Sequence, residues 1–385
     1  MNDNTHRLHA LGQSLWLDTI SRELLDSGTL ARYISDLSIT GLTSNPTIFE
    51  HAIGHGAGYD DSIRVLNAAG LVGEELLLDL TLEDLTRASE LLRRTFDASD
   101  GVDGWVSLEV SPLLAGNAAH TIQAANRLFK RAALSNLFIK IPGTPEGVQA
   151  FEEVIFDGVP VNVTLLFSRE QYLATAQAYL RAIERRIVAG LDPKVESVAS
   201  LFVSRWDTAV KLEIASTLRN RLGITMAMRT YRAHCELLAS ERWQRLAAAG
   251  ARPQRLLWAS TGTKDAAAPD TLYVQALVAA GTINTLPEKT LLAFADHGQI
   301  GTPLPADGGY ADAVMEEFRR EGVDDAALAE RLQREGVESF AASWHATLSC
   351  IREKCAPTAG QVSVVAPPST QDTGLVPPPA TGSVA

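Results

Sequence analysis

Three charged residues interrupt runs that otherwise read as buried strands: Asp18 in Ser14-Leu-Trp-Leu-Asp-Thr-Ile20, Glu109 in Gly104-Trp-Val-Ser-Leu-Glu-Val-Ser-Pro112 and Lys140 in Asn136-Leu-Phe-Ile-Lys-Ile-Pro-Gly-Thr144. Strand alternation puts Leu137, Ile139 and Ile141 on one face, and Phe138 and Lys140 on the other. A lysine there is costly unless it is paired or neutral. A lysine side chain starts near a pKa of about 10.4, so roughly one amine in a few thousand is free at neutral pH, and a drop of about 3 units frees half. Desolvation and cationic neighbours push that way, while carboxylates push against it. Lys140 between the carboxylates Asp18 and Glu109 reads as a Schiff-base nucleophile, with one carboxylate as proton acceptor and the other to handle water. The alternative for the same three residues is a salt-bridged barrel core; for Lys140 alone it is a strand-end lysine reaching solvent.

Uncharged polar residues fall late in other strands in the same way. Asn45 follows Thr43 and Ser44, and Asn162 and Thr164 share one parity of Val159-Pro-Val-Asn-Val-Thr-Leu-Leu-Phe-Ser168. Arg205, Ser260 and Lys264 make a second constellation. The loop Ser260-Thr-Gly-Thr-Lys264 offers hydroxyls, a flexible backbone and a cation, which suits a phosphate after the seventh strand of a barrel. It has no Walker A pattern and on its own reads as an ordinary polar loop. His51 and His55 have the spacing of a metal pair on a helix, but Gly54, Gly56 and Gly58 around them favour a loop. Asp296-His297 is given no role. Cys235, Cys350 and Cys355 are too few and too late for a disulfide framework, and no His or Cys cluster supports a metal site.

Eight strands have to carry these residues. They read as Ser14–Ile20, Ile39–Phe49, Gly104–Pro112, the lysine run, Val159–Ser168, Glu196–Arg205, Arg255–Ser260 and Ala280–Leu286, each followed by helix. That alternation predicts an α/β fold, a (β/α)8 TIM barrel with extra helices. In such a barrel the late strand ends meet on one face, where the polar residues would converge. A doubly wound sheet would need a glycine-rich turn after the first strand, and Asp18-Thr-Ile-Ser-Arg22 has no glycine. Among the helices, the spacing predicts a leading helix over 8–14, a break at Ser27-Gly28, helical pattern from Asp60 to Asp97 with Thr81-Leu-Glu-Asp as a capped start, and breaks near Gly223 and Ser240. Asp324 or Asp325 caps the helix that runs towards Cys355.

With 385 residues, 46% of them hydrophobic, the chain can bury a barrel-sized core. Its net charge of −12 argues against nucleic acid or an anionic membrane as the main partner, and leaves room for a phosphorylated small molecule in a locally basic pocket. No run has signal-peptide or membrane-spanning character, so the expectation is a soluble cytoplasmic protein. Oligomeric state is not legible. Residues 1–355 form the barrel domain in this reading. From Ala356 the chain is mostly Pro, Ser, Thr, Gly, Ala and Val with a single charged residue, Asp372, a composition that predicts a disordered tail over 356–385.

The motifs Leu17-Asp18-Thr19, Thr43-Ser-Asn-Pro-Thr47, Ser107-Leu-Glu-Val110, Ile139-Lys-Ile-Pro-Gly-Thr144, Asn162-Val-Thr-Leu-Leu-Phe-Ser168 and Trp258-Ala-Ser-Thr-Gly262 resemble the transaldolase family in its longer bacterial form. The resemblance spans about residues 8 to 355 in the right order. It implies a class I aldolase-type barrel that transfers a dihydroxyacetone unit from sedoheptulose 7-phosphate to glyceraldehyde 3-phosphate, giving erythrose 4-phosphate and fructose 6-phosphate, with no metal or organic cofactor. By position it makes Lys140 the Schiff-base lysine and Asp18 the acid/base at the donor C4 hydroxyl. Glu109 and Thr164 would hold the water, Asn45 and Asn162 would bind hydroxyls, Ser200 would line the site, and Arg205 and Ser260 would bind phosphate. Shorter transaldolases have an arginine two residues after Ser260; this chain has Gly262 there, leaving Lys264 as the nearest cation. Related fructose-6-phosphate aldolases carry a glutamine at the Glu109 position and a tyrosine at the Phe202 position.

Overall fold

All eight apolar runs form strands in the computed structural model, which describes residues 3–356. They are β1 (Ser14–Leu17), β2 (Ile39–Leu42), β3 (Val106–Glu109), β4 (Leu137–Pro142), β5 (Val161–Leu166), β6 (Ser197–Phe202), β7 (Arg255–Ala259) and β8 (Ile283–Leu286). Every pairing is parallel, in the order β2-β1-β8-β7-β6-β5-β4-β3. The ring closes where Gly41 bridges to Trp105: Leu42 N–H donates to the Trp105 carbonyl (2.9 Å) and Gly104 N–H to the Thr40 carbonyl (2.6 Å). A doubly wound sheet would leave two open edges; here the Gly41–Trp105 bridge joins the two end strands.

Side chains of alternate parity build two cores. Leu15, Leu17, Ile139, Ile141, Val161 and Val163 point outward into the layer of helices. Trp16, Phe138, Val198, Leu257 and Ile283 fill the lumen, where Trp105 stacks on Phe138 at 4.1 Å between ring centroids and Trp16 lies 6.0 Å from it. Gly41 makes room for this plug, since a Cβ there would lie 2.6 Å from the Trp16 indole. The long final helix, Asp325–Cys355, packs on the helices Pro46–Gly54 and Asp60–Ala68 and on β5.

The strands are shorter than their apolar runs. Asp18 lies just beyond β1, and Asn45 lies beyond β2, where its Oδ1 accepts from Ile48 N–H (3.1 Å) and caps the helix Pro46–Gly54. Ile48 and Phe49 are therefore helical. The leading helix is Asn4–Ala10, earlier than expected. Residues 60–98 form two helices, Asp60–Ala68 and Gly73–Ala98. Thr81 caps neither; it sits inside the second, its hydroxyl donating to the Leu77 carbonyl (2.8 Å). Gly223 is the second residue of the helix Leu222–Ala239 rather than a break. The breaks at Ser27-Gly28 and Ser240, and the Asp324 cap, are as expected. The tail lies outside the described residues apart from Ala356. No described helix is long and apolar enough to cross a membrane.

Candidate active site

Strand register brings the central polar residues into one row. Glu109 pairs with Lys140 across β3 and β4, and Lys140 with Asn162 across β4 and β5. All three have the parity that faces the lumen, one step above the aromatic plug. Lys140 Nζ lies 3.0 Å from Glu109 Oε2 and donates to the Ser44 carbonyl at 2.9 Å. Both side chains are about 95% buried. Asn162 extends the row: its Nδ2 donates to Ser107 Oγ (3.3 Å), and its Oδ1 accepts from Ser200 Oγ (2.7 Å).

Asp18 approaches from the other side of the lumen. Its Oδ1 accepts from Thr43 Oγ1 (2.8 Å), and that hydroxyl lies 2.8 Å from Thr285 Oγ1. Enclosure pushes the Asp18 carboxyl above its ordinary value, opposed by Lys140, Thr43, Lys264 and Arg205. Burial raises Glu109 too; Lys140 opposes the shift and Asp18 adds to it. Two carboxyls more basic than usual therefore flank one lysine nitrogen.

Thr164 is set by an irregularity. Leu165 takes a left-handed φ of 59°, and the β5–β6 register slips between Val163 and Leu166. For a leucine that conformation is costly. Gln333 of the final helix holds it, its Nε2 donating to the carbonyls of Gly143 (2.8 Å) and Leu165 (3.0 Å). Thr164 Oγ1 and Glu109 Oε1 are buried without a hydrogen-bond partner among the described residues, and Glu109 Oε2 has only the Lys140 amine.

A cavity of about 800 Å³ opens at the late strand ends, lined by Asp18, Asn45, Lys140, Thr164, Ser200, Arg205, Ser260 and Lys264. Glu109 and Asn162 are absent from its wall and stand behind Lys140. Arg205 follows β6 in the helix Ser204–Val210 and makes no hydrogen bond or ion pair with the described residues. Its guanidinium carbon lies 5.0 Å from the Phe202 ring and 5.9 Å from Phe340. Ser260, at a left-handed φ of 55°, has its Oγ 2.9 Å from Ser204 Oγ. Lys264 is exposed on the rim. The cavity thus has a buried amine backed by Glu109, the raised carboxyl of Asp18, hydroxyl and amide groups, and the cations Arg205 and Lys264.

His51 and His55 line the same cavity with rings stacked at 5.0 Å. Among the described residues no group of three or more His, Cys, Asp or Glu side chains is arranged to hold a metal. Sequence reasoning missed Phe340 and Gln333, which reach the site from the final helix, and the Ser44 carbonyl that Lys140 uses. Helix periodicity assigns Gln333 and Phe340 to one face but names no partner. A carbonyl leaves no mark in a sequence.

A family model described as Transaldolase/Fructose-6-phosphate aldolase matches residues 15–351. The chain is 46% identical over 354 residues to a transaldolase of Acidothermus cellulolyticus, covering 89% of this chain and 95% of that one. It is 44% identical over 355 residues to a transaldolase of Thiobacillus denitrificans, covering 90% and 99%. A transaldolase of Parafrankia sp. is 44% identical over 356 residues, covering 90% and 96%.

Proposed function

This chain belongs to the transaldolase/fructose-6-phosphate aldolase family and is an enzyme of the transaldolase type, acting on phosphorylated sugars in the pentose phosphate pathway, and from that premise we propose how its residues divide the work. Lys140 is the nucleophile. Its nitrogen adds to the ketose C2 carbonyl, and loss of water leaves a protonated imine. Glu109, held basic by burial and 3.0 Å away, takes the proton that Lys140 must lose. With Thr164, it then handles the water that leaves and later returns; Thr164 Oγ1 and Glu109 Oε1 have no competing partner among the described residues.

Asp18 removes the C4 hydroxyl proton. The C3–C4 bond breaks, its electron pair flows into the imine to give an enamine, and the aldose leaves. An incoming aldehyde is attacked by the enamine carbon, Asp18 returns the proton to the new alkoxide, and hydrolysis frees Lys140. The lysine nitrogen is the electron sink, so the sequence of steps calls on no metal or organic cofactor. Asn45 and Ser200 bind donor hydroxyls, with Asn162 expected from the sequence in the same role but here behind the wall, accepting from Ser200; Arg205, Ser260 and Lys264 bind the phosphate. In this reading the donors are sedoheptulose 7-phosphate and fructose 6-phosphate, the acceptors are glyceraldehyde 3-phosphate and erythrose 4-phosphate, and the reaction belongs to the cytoplasm.

The observation that carries the reading is the buried Lys140–Glu109 pair, with Asp18 across the same lumen. Borohydride with fructose 6-phosphate should leave a reduced adduct on Lys140, located by peptide mass spectrometry. An adduct elsewhere, or none in folded protein, would end it. Phe202 bears on transfer against simple aldol cleavage. It lines the cavity with no hydroxyl to protonate the enamine, which therefore waits for an aldehyde. Fructose 6-phosphate should turn over fast with erythrose 4-phosphate present and release dihydroxyacetone far more slowly without it. Equal rates would mean an aldolase.

A further inference from the structure

We propose that Phe340, on the final helix, is a positioning residue for Arg205 and so sets the affinity of the site for phosphate; this rests on the reading of Arg205 as the phosphate ligand. A guanidinium has five N–H donors, and one without protein partners would sample several rotamers at a cost in entropy on binding. Arg205 has no hydrogen-bond or ion-pair partner among the described residues, yet it is largely enclosed, with burial lowering its pKa. Two aromatic faces stand beside it, Phe202 at 5.0 Å and Phe340, 3% exposed, at 5.9 Å, while Asp18 and Glu335 attract it without a hydrogen bond or ion pair. Such contacts hold a cation without consuming its N–H groups. A carboxylate in the same place would hold it more firmly, but would compete with phosphate.

The helix is built to deliver that ring. Gln333, Gly336 and Phe340 share one face by their spacing of three and four. Gln333 pins the face to the carbonyls of Gly143 and Leu165. Gly336 allows the close approach: a Cβ there would lie 2.9 Å from Leu165 Cδ2 and 3.3 Å from Arg205 Nη1. Phe340 then stands 5.6 Å from Lys140 Nζ as well, spacing the two cations that must hold opposite ends of one substrate.

The test titrates full-length protein with inorganic phosphate by calorimetry, alongside the KM for fructose 6-phosphate. Phe340→Leu keeps most of the volume and loses the π face; it should weaken phosphate about five- to tenfold and raise KM in parallel. Phe340→Tyr should recover most of that loss. In an Arg205→Ala background, Phe340→Leu should add nothing. If the leucine variant folds poorly, Gly336→Ala asks the same question from the next turn and should also weaken phosphate. Parental affinity in Phe340→Leu, with affinity lost in Arg205→Ala, would overturn this proposal and leave the phosphate assignment standing. Additive losses in the double variant would also overturn it. Parental affinity in Arg205→Ala would instead remove the phosphate assignment.

Discussion

Two arginines, one opening β7 and one in the helix just past its neighbour β6, stand at opposite ends of this barrel. Arg255 begins β7, and its guanidinium donates to the carbonyls of Gly281 (3.3 Å), Val102 (2.9 Å) and Thr282 (3.2 Å), to Asp103 Oδ1 (3.1 Å) and to Ser14 Oγ (2.6 Å). It ties together the early ends of β1, β7 and β8 and the segment before β3. Arg205 follows the end of β6 and has only two aromatic rings. One has spent its donors on the fold; the other keeps them for a ligand. The lumen repeats the contrast along single strands: Trp16 and Phe138 plug it, and two residues on, Asp18 and Lys140 line the site.

The strongest way to break this contrast is to remove a residue from the upper end and look for damage to the fold. Lys140→Met should cut turnover by roughly four orders of magnitude or more, as expected for loss of a nucleophile. Its melting temperature should barely move, because Lys140 is what opposes the upward push of burial on Glu109, so without the amine the carboxyl takes up a proton and leaves no unpaired buried charge. A drop of many degrees would make Lys140 structural. The converse is Arg255→Met, which leaves buried Asp103 without its cation and takes a donor from the Val102 and Gly281 carbonyls. It should cost about 3–5 kcal/mol in urea unfolding while kcat at 25 °C stays near parental.

How far a sequence could reveal this division depends on range. Each strand declared itself within ten residues, as an apolar run bounded by glycine, proline or polar turns. Asp18, Glu109 and Lys140 declared themselves by violating those runs. Their meeting also followed, because a barrel leaves few registers for parallel neighbours. Signals that are local but ambiguous failed. Thr81-Leu-Glu-Asp has the pattern of a helix start, yet a threonine can satisfy its hydroxyl on the carbonyl four residues back, as Thr81 does on Leu77. Contacts that join distant segments left no trace. Nothing near Gln333 or Phe340 announces that they close over Leu165 and Arg205, and the left-handed Leu165 has no glycine to betray it.

Arg205→Ala sharpens the contrast from the other side. It should raise KM for fructose 6-phosphate roughly ten- to a hundredfold, the loss of a charge-assisted contact, with Lys264→Ala acting more weakly. Unfolding free energy should stay level or rise, because an enclosed and unpaired cation is removed. A clear loss of stability with unchanged KM would place Arg205 in the same class as Arg255.

Glu196 is the residue most able to blur the division, because it sits at the satisfied end without being satisfied. It precedes β6, with Oε1 3.5 Å from Arg252 Nε and no hydrogen bond to that oxygen. Arg252 and Lys194 are both drawn to Asp100 instead, at 2.5 Å and 3.0 Å. Burial pushes the Glu196 carboxyl up to about 7; Arg252, Lys194 and Arg255 oppose the shift and Asp100 adds to it. The sign follows from proton uptake. Because the folded chain holds this proton more tightly than the unfolded one, the stability it contributes is complete below about pH 4.5. That contribution is lost as pH rises through 7. Glu196→Gln cannot titrate, so the difference in unfolding free energy between variant and parent should grow from pH 4.5 to 7 and level off near pH 8. There the variant should be the more stable by about 2 kcal/mol, less than the full linkage because glutamine also gives up the attraction of Arg252. Turnover should not change. Parallel stability curves would mean that Glu196 is as well paired as Arg255, and that the early end of the barrel stores no strained charge at all.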